Sequence, residues 1–205
     1  MTPQILMLCV LGAFLELDTT YAFQFLLSRG IIAGPLLSLV TGDLMTGVQV
    51  GVFTELVFID SNPLGGVLPP SAVGCCTVAL ALHAMGVPVY FAFFVGVLGG
   101  AFFSFMERSM RLGRCGWLVY QEQKIARKPA QLNRTVWVSL AQSLLFSLVG
   151  FVFICSLGGW TMVHLLPHIP ERMHLVSSIA YMAVPWTGLA TLISIFNLKR
   201  GGSKG

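Results

Sequence analysis

Long runs of apolar residues without a formal charge dominate the hydrophobic pattern of this chain. Three segments contain no Asp, Glu, Lys or Arg: residues 61–106, 135–170 and 173–198. A helix needs about 20 apolar residues to cross the hydrocarbon core of a bilayer. The last two segments therefore predict one span each, over 136–158 and 175–197. The first is long enough for two spans, with a break at 86–88, where the Gly-Val-Pro sequence interrupts helical structure.

Basic residues are concentrated on one side of these spans. Seven of the twelve Lys and Arg residues lie in 107–134, and three lie in 199–205. Lys and Arg are enriched in cytoplasmic loops, and two spans separate these segments, so both can face the cytoplasm. We therefore predict four regions. Residues 1–106 form an N-terminal membrane region with broken helices, and 107–134 form a basic cytoplasmic loop. Residues 135–198 contain two further spans, and 199–205 are a cytoplasmic tail.

Residues 31–70 lack the pattern of a plain membrane helix. Gly42-Asp43 and Glu55 interrupt an apolar stretch, and the Gly- and Pro-rich sequence DSNPLGGVLPPS follows at 60–71. The next helix, Ser71–Met85, is too short to span alone. Irregular backbone at membrane depth is tolerated where it is buried in protein or lines a wet cavity; the alternative is a loop on the membrane surface. We predict an all-α integral membrane protein, a multi-span helical bundle with broken or re-entrant helices in its N-terminal half.

The composition excludes a soluble or disordered protein. The 205 residues are 56% hydrophobic and 10% charged, with a mean hydropathy of +0.83. Soluble domains carry about 25% charged residues, and disorder requires low hydrophobicity. No basic segment precedes the apolar stretch Ile5–Leu15, so we interpret it as a retained helix that is short or lies partly in the membrane interface, and not as a cleavable signal peptide.

The carboxylates are distributed unevenly, and two of them belong to a regular pattern. Five of the eight fall within the first 60 residues, and the other three (Glu107, Glu122 and Glu171) fall in predicted loops. Asp43, Gly47, Gly51 and Glu55 recur every fourth residue, which places them on one inclined stripe of a helix. Carboxylates there can accept hydrogen bonds from ligand hydroxyls. The alternative for the glycines is close helix packing, whereas intramembrane acids usually face a polar pathway.

A second polar cluster precedes this stripe. Asp18 and Gln24 stand beside the aromatic residues Tyr21, Phe23 and Phe25. Carboxylates and amides pair with sugar hydroxyls while aromatic rings cover the apolar face of a pyranose, so the cluster is typical of a sugar site. The alternative is an interfacial amphipathic segment with an aromatic belt.

No pattern indicates a cofactor or a metal. The five cysteines show no CxxC spacing, and Pro167 separates His164 from His168. A GxxxxGK[ST] phosphate loop is also missing from the sequence. We expect no cofactor, no metal, no nucleic acid partner and no catalytic residue in this chain.

Three motifs in the N-terminal half together resemble a known family. Asp18 is followed by FQF at 23–25, by GDLMTGVQVGVFTEL at 42–56 and by NPLGGVLPP at 62–70. This order and spacing resemble the IIC membrane component of mannose-type (mannose–fructose–sorbose) sugar phosphotransferase systems. The resemblance covers about residues 10–100, whereas the chain from about residue 107 shows no matching motif.

The resemblance implies a multi-pass permease of the bacterial inner membrane that binds a hexose and passes it to a cytoplasmic phosphoryl-donor subunit. It implies a IID membrane subunit and IIA and IIB phosphocarrier proteins as partners, and it leaves a homo-oligomer open. The IIC chain would bind and translocate sugar without being phosphorylated itself. By position in the motifs, sugar contacts fall on Gln24, Glu55 and Asn62, with Asp43 close by and Asp18 in the adjoining cluster.

Two other functions stay open from the residues alone. Asp43 and Glu55 could form a proton or cation relay in a secondary transporter or channel. Alternatively, the glycine stripe could serve only helix packing in a membrane scaffold that transports nothing.

Overall fold

The chain folds into helices over the residues that the structure, a computed structural model, describes: 2–20, 25–59, 69–127 and 132–201. This described part contains no strand and seven α-helices, which are α1 (Pro3–Thr20), α2 (Gly30–Thr41), α3 (Leu44–Val57), α4 (Ala72–Ala84), α5 (Val89–Arg127), α6 (Leu132–Leu165) and α7 (Glu171–Gly201). The prediction of an all-α membrane protein is confirmed.

Three of these helices contain a stretch long and apolar enough to cross a membrane. The stretches are Val89–Arg114 in α5, Asn133–His168 from α6 into the turn that follows it, and Glu171–Ser194 in α7. They match the predicted spans after the 86–88 break and over 136–158 and 175–197. By contrast α2, α3 and α4 have 12, 14 and 13 residues, which is too short to cross the hydrocarbon core.

The N-terminal half contains the predicted broken helices. Gly42 ends α2 in the left-handed conformation, with a φ of 79°, and Asp43 then caps α3 by accepting a hydrogen bond from the Thr46 N–H at 3.1 Å. The sequence Gly42-Asp43 therefore turns the chain back, and α2 and α3 pack against each other as a hairpin. Pro35 lies inside α2 without ending it.

The glycine stripe serves close packing in this hairpin. A Cβ built on Gly34 would lie 2.7 Å from the Cα of Gly51, and one built on Gly47 would lie 2.8 Å from the carbonyl oxygen of Gly34. Only glycine lets the two backbones approach this closely. The packing interpretation therefore holds for the glycines, whereas Asp43 and Glu55 lie at the two ends of α3.

The short helix α4 is the centre of the core. Every residue from Val73 to Leu82 is buried, and α4 packs against α1, α2, α3, α5 and α6. The Ser71 hydroxyl caps the N-terminus of α4 by accepting the Gly74 N–H at 2.8 Å. This bond satisfies a backbone N–H group that would otherwise be buried without an acceptor.

The region predicted as a basic loop at 107–134 is instead mostly helical. α5 continues unbroken to Arg127, and α6 begins at Leu132. The segment is rich in Arg, Leu, Gln and Glu, which are strong helix formers, and contains no proline before Pro129. With 39 residues, α5 is about 58 Å long, nearly twice the thickness of a bilayer core of about 30 Å. Its C-terminal part therefore extends beyond the apolar region.

Candidate functional site

A cavity of about 420 Å³ lies where α1, the chain before α2, the end of α3, the start of α4 and the middle of α5 meet. Its lining is polar for a site among apolar helices. Among the described residues it contains four carboxylates, one guanidinium and three serine hydroxyls, from Glu16, Asp18, Glu55, Glu107, Arg29, Ser28, Ser71 and Ser104. Apolar contact surface comes from Leu26, Phe58, Pro69 and Pro70. The volume falls within the range of about 300–1,000 Å³ of small-molecule sites.

Glu55 lies at the end of α3 and is held by the start of α2. Its Oε1 accepts a hydrogen bond from Arg29 Nη1 at 3.1 Å, and its Oε2 accepts the Gly30 N–H at 3.0 Å. A negative charge is favourable at a helix N-terminus because of the free N–H groups there. The side chain keeps 27% of its surface exposed, so the carboxylate is oriented by the protein and still open to a ligand.

Asp18 lies at the end of α1 and orders the chain that leads into α2. The residue is 3% exposed. It accepts hydrogen bonds from the N–H groups of Phe25 at 2.7 Å and of Ser28 at 3.2 Å. Between these two residues, Leu26 has a φ of 65°, a left-handed conformation that is unfavourable for a bulky side chain. Asp18 therefore holds a strained turn at the edge of the cavity.

Two further carboxylates at this site are not identified by the sequence patterns. Glu16 is 4% exposed and accepts a hydrogen bond from the Ser71 hydroxyl at 2.7 Å. Glu107 is 5% exposed and accepts a hydrogen bond from Arg111 Nε at 3.1 Å. The expectation that Glu107 lies in a loop is wrong, because α5 continues through it. For Glu16, an acidic residue within an apolar run is the signal that could have indicated it.

Asp43 lies at the other end of α3, away from this cavity. It precedes Glu55 by 12 residues, or about 18 Å of helix. Its carboxylate accepts hydrogen bonds from the Thr46 hydroxyl at 2.6 Å and the Thr46 N–H at 3.1 Å, and it lies 3.5 Å from His83 Nε2. The Thr46 hydrogen bonds hold the pKa of Asp43, which lies in the turn between helices, below its ordinary value.

The fold thus brings together two of the five predicted site residues, Asp18 and Glu55, and separates Asp43 from them. Gln24 and Asn62 lie outside the described residues. Pro69, from the same Gly- and Pro-rich motif as Asn62, lines the cavity.

The arrangement suits a small ligand with many hydroxyl groups. Carboxylates and serine oxygens accept hydrogen bonds from hydroxyls, and the arginine donates to hydroxyl oxygens. Most lining carboxylates are already held by protein donors, so their geometry is set before a ligand arrives, which lowers the entropic cost of binding.

Comparison with known proteins gives two matches. The family model described as "PTS system sorbose-specific iic component" matches residues 2–200. A protein of Escherichia coli (strain K12) named "Putative N-acetylgalactosamine permease IIC component 2" is 38% identical over 96 residues, which cover 42% of this chain and 71% of the relative.

Proposed function

Because this chain belongs to the family of sorbose-specific IIC components and is a sugar-translocating subunit of a phosphotransferase system, we propose that it binds a hexose-type sugar in the cavity between Asp18 and Glu55. The observation that carries this proposal is the meeting of these two carboxylates, which stand 37 residues apart in the sequence, at one polar cavity.

In this proposal, sugar hydroxyls donate hydrogen bonds to Glu55 and to the remaining lone pairs of the Asp18 carboxylate. Arg29 donates to a ring or hydroxyl oxygen of the sugar. Gln24 and Asn62 add amide contacts, as the resemblance of their motifs implies. Asp43, about 18 Å from Glu55 along α3, contacts the sugar at another point of its path.

The depth of the cavity supports delivery to the cytoplasm. If the basic segment after residue 107 is cytoplasmic, α5 starts on the outer side of the membrane. Ser104 and Glu107 follow Val89 by 15 and 18 residues, which places them about 22–27 Å along the helix. The bilayer core is about 30 Å thick, so a sugar bound here lies close to the cytoplasmic face, within reach of a phosphoryl donor.

The partners proposed for this transport are a IID membrane subunit and the IIA and IIB phosphocarriers, in the bacterial inner membrane. The segment 107–134 supports a soluble partner, because it contains seven of the twelve Lys and Arg residues. Its helix α5 extends beyond the apolar stretch, where Arg108 is exposed. A basic surface there attracts an acidic protein surface. A homo-oligomer stays open. Since the Escherichia coli relative is named for N-acetylgalactosamine, that sugar belongs among those to be tested.

The test uses cells that express the complete transport system with this chain or its variants. Glu55→Gln removes a charge without changing shape, and Asn62→Ala removes an amide. We expect each to lower phosphoenolpyruvate-dependent hexose uptake at least tenfold, since hydrogen bonds to charged or buried polar groups are worth about 1.5–3 kcal/mol. Glu171→Gln, the same change at an exposed residue of α7, is the matched control and should leave uptake unchanged.

Two results would overturn the proposal. One is normal uptake in both variants with wild-type amounts of protein in the membrane. The other is uptake that collapses with the proton gradient but persists without phosphoenolpyruvate, which would favour a proton relay through Asp43 and Glu55.

A further inference from the structure

His83 lies at the end of α4 between two hydrogen-bond acceptors. Its Nδ1 lies 3.2 Å from the carbonyl oxygen of Val87, and its Nε2 lies 3.5 Å from Oδ2 of Asp43. A carbonyl oxygen and an ionised carboxylate only accept hydrogen bonds, so each ring nitrogen needs a proton to interact favourably with its neighbour. A neutral imidazole has one N–H group, whereas an imidazolium has two. The geometry therefore favours the charged form of His83.

Two other features of this position favour a positive charge on His83. The residue belongs to the last turn of α4, where the free carbonyl groups of a helix attract cations. The hydroxyl and N–H groups of Thr46 hold the pKa of Asp43 below its ordinary value. Asp43 is therefore negatively charged throughout the range of about pH 5–8, in which histidine side chains change their charge.

Asp43 is the only carboxylate within ion-pair distance of His83 in the part of the chain that the structure describes. Helix α4 packs against α1, α2, α3, α5 and α6, and α2 contains no titratable side chain. The carboxylates of α1, α3 and α5 that lie nearest to α4 line the cavity at its other end: Glu16, Asp18, Glu55 and Glu107. At the near end, Tyr90 of α5 hydrogen bonds with His174 of α7 at 3.0 Å, and His164 of α6 packs on the ring of Trp160.

The pair of Asp43 and His83 connects two turns between helices. Asp43 belongs to the turn between α2 and α3, and Val87 belongs to the turn between α4 and α5. Both turns lie on the outer side of the membrane if the basic segment after residue 107 is cytoplasmic. At their other ends, α3 and α4 line the polar cavity through Glu55 and Ser71. Contact between Asp43 and His83 therefore holds together the outer ends of two helices whose inner ends line the cavity.

We propose that His83 and Asp43 form a latch on the outer side of the carrier, which closes when His83 is protonated and opens when it is deprotonated. The role of this latch in transport rests on the proposed sugar site. A sugar from outside needs a path past the outer ends of the helices, so a closed latch slows its entry. Deprotonation also frees the Asp43 carboxylate, which belongs to the proposed sugar path. Acidification of the outer side should therefore slow uptake.

The first experiment measures the melting temperature of the purified protein in detergent between pH 5.5 and pH 8. The latch stabilises the fold at low pH, where His83 is charged, and this contribution is lost as the pH rises and the ring loses its proton. A partly exposed ion pair is weak. We therefore expect the difference in melting temperature between wild type and His83→Gln to decrease by about 2–4 °C from pH 5.5 to pH 8. Asp43→Asn should abolish the same pH-dependent contribution although it retains His83.

His168→Gln is the matched control for this experiment. The Nδ1 of His168 also faces a carbonyl oxygen, that of His164 at 3.0 Å, but no carboxylate of the described residues lies within ion-pair distance of it. This variant should melt with the pH dependence of the wild type. If His83→Gln and Asp43→Asn do the same, the latch is refuted.

The second experiment measures hexose uptake by right-side-out membrane vesicles that contain the complete system, with phosphoenolpyruvate and the soluble phosphocarriers inside. The interior is buffered at pH 7.5, and the outside is at pH 5.5 or 7.5. We expect the ratio of uptake at outside pH 7.5 to uptake at pH 5.5 to be about two- to fivefold higher for wild type than for His83→Gln. A fivefold effect corresponds to about 1 kcal/mol, the upper end for an exposed ion pair.

The two experiments separate this inference from the proposed function. Equal uptake ratios for wild type, His83→Gln and Asp43→Asn would overturn the latch and leave the sugar site standing, and so would faster uptake by wild type at outside pH 5.5. If no hexose is taken up at either pH, the proposed function is wrong. The pH-dependent difference in melting temperature would then still support the latch, because melting requires no sugar.

Discussion

The hairpin of α2 and α3 allows a quantitative test of the packing at the site, through Gly34→Ala. A Cβ on Gly34 would lie 2.7 Å from the Cα of Gly51 and even closer to the carbonyl oxygen of Gly47. Real Cβ atoms essentially never approach another atom within 3.0 Å. Both neighbours are backbone atoms, so no side-chain rotation relieves the overlap, and the two helices must separate.

Separation of these helices is costly because it disturbs the site as well as the packing. Overpacking in a dense core costs about 1–3 kcal/mol, and a clash of backbone with backbone belongs at the upper end. For a chain of this length, about 3 kcal/mol corresponds to a decrease in melting temperature of roughly 6–12 °C. The same movement pulls Glu55 away from the Gly30 N–H, so sugar uptake should fall too.

The assay is thermal denaturation of the purified membrane protein in detergent, together with uptake in cells. Gly113→Ala is the matched control. Apart from the neighbouring backbone of α5, no atom of the described residues lies within 4 Å of a Cβ built there, and alanine is favourable in a helix by up to about 1 kcal/mol. Gly113→Ala should therefore be neutral or stabilising.

A double mutant tests the geometry further. A Cβ on Gly47 would overlap the side chain of Ser38, so Gly47→Ala should be destabilising alone and partly rescued by Ser38→Gly. We expect the double mutant to be more stable than the sum of the single changes by about 1–3 kcal/mol. If Gly34→Ala melts like Gly113→Ala, or if Ser38→Gly and Gly47→Ala are simply additive, the close contact of α2 with α3 is refuted.

Three further changes test individual side chains. Asp18→Ala removes the acceptor of the Phe25 and Ser28 N–H groups. We expect it to lower the free energy of unfolding by about 1.5–3 kcal/mol and to reduce uptake. An unchanged melting temperature would contradict the structural role of Asp18. Asp43→Ala removes the cap of α3 and should cost about 1 kcal/mol, whereas Asp43→Asn should retain most of the stability; equal melting temperatures for the two variants would count against the cap. The Tyr181 hydroxyl is buried without a hydrogen-bond partner among the described residues. Tyr181→Phe should therefore be neutral or stabilising by about 1 kcal/mol. A clear decrease in melting temperature would show an unrecognised partner.

The membrane class and the main helices follow from local properties of the sequence. Spans in the C-terminal half can be predicted because each helix satisfies its backbone hydrogen bonds internally. Such a helix needs only sufficient apolar length to cross the bilayer. The turn at Gly42-Asp43 is predictable because glycine tolerates a positive φ and aspartate caps the next helix. The structure of the basic segment after residue 107 is harder to predict. Its charges are typical of a loop outside the membrane, whereas its helix propensity favours the continuation of α5 to Arg127.

The candidate site is only partly predictable from the sequence. Asp18 and Glu55 stand in recognisable motifs, and an intramembrane carboxylate is a functional signal by itself. Glu107 gave no such signal, because it directly follows the uncharged segment 61–106 and resembles the first charge of a loop. Asp43 shares a helical stripe with Glu55, but the length of α3 places them at opposite ends, so a shared helix face did not mean a shared site.

The sequence by itself determined that this is a helical membrane protein, where its helices break, and which family its motifs resemble, because these properties depend on composition and short-range spacing. It could not determine which carboxylates share a cavity. That depended on packing α1 against α4, and α4 against α5, which buried Glu16 and Glu107 at the cavity that Asp18 and Glu55 line. A cavity shared by residues some 90 positions apart arises from the packing of whole helices and leaves no local pattern to be recognised.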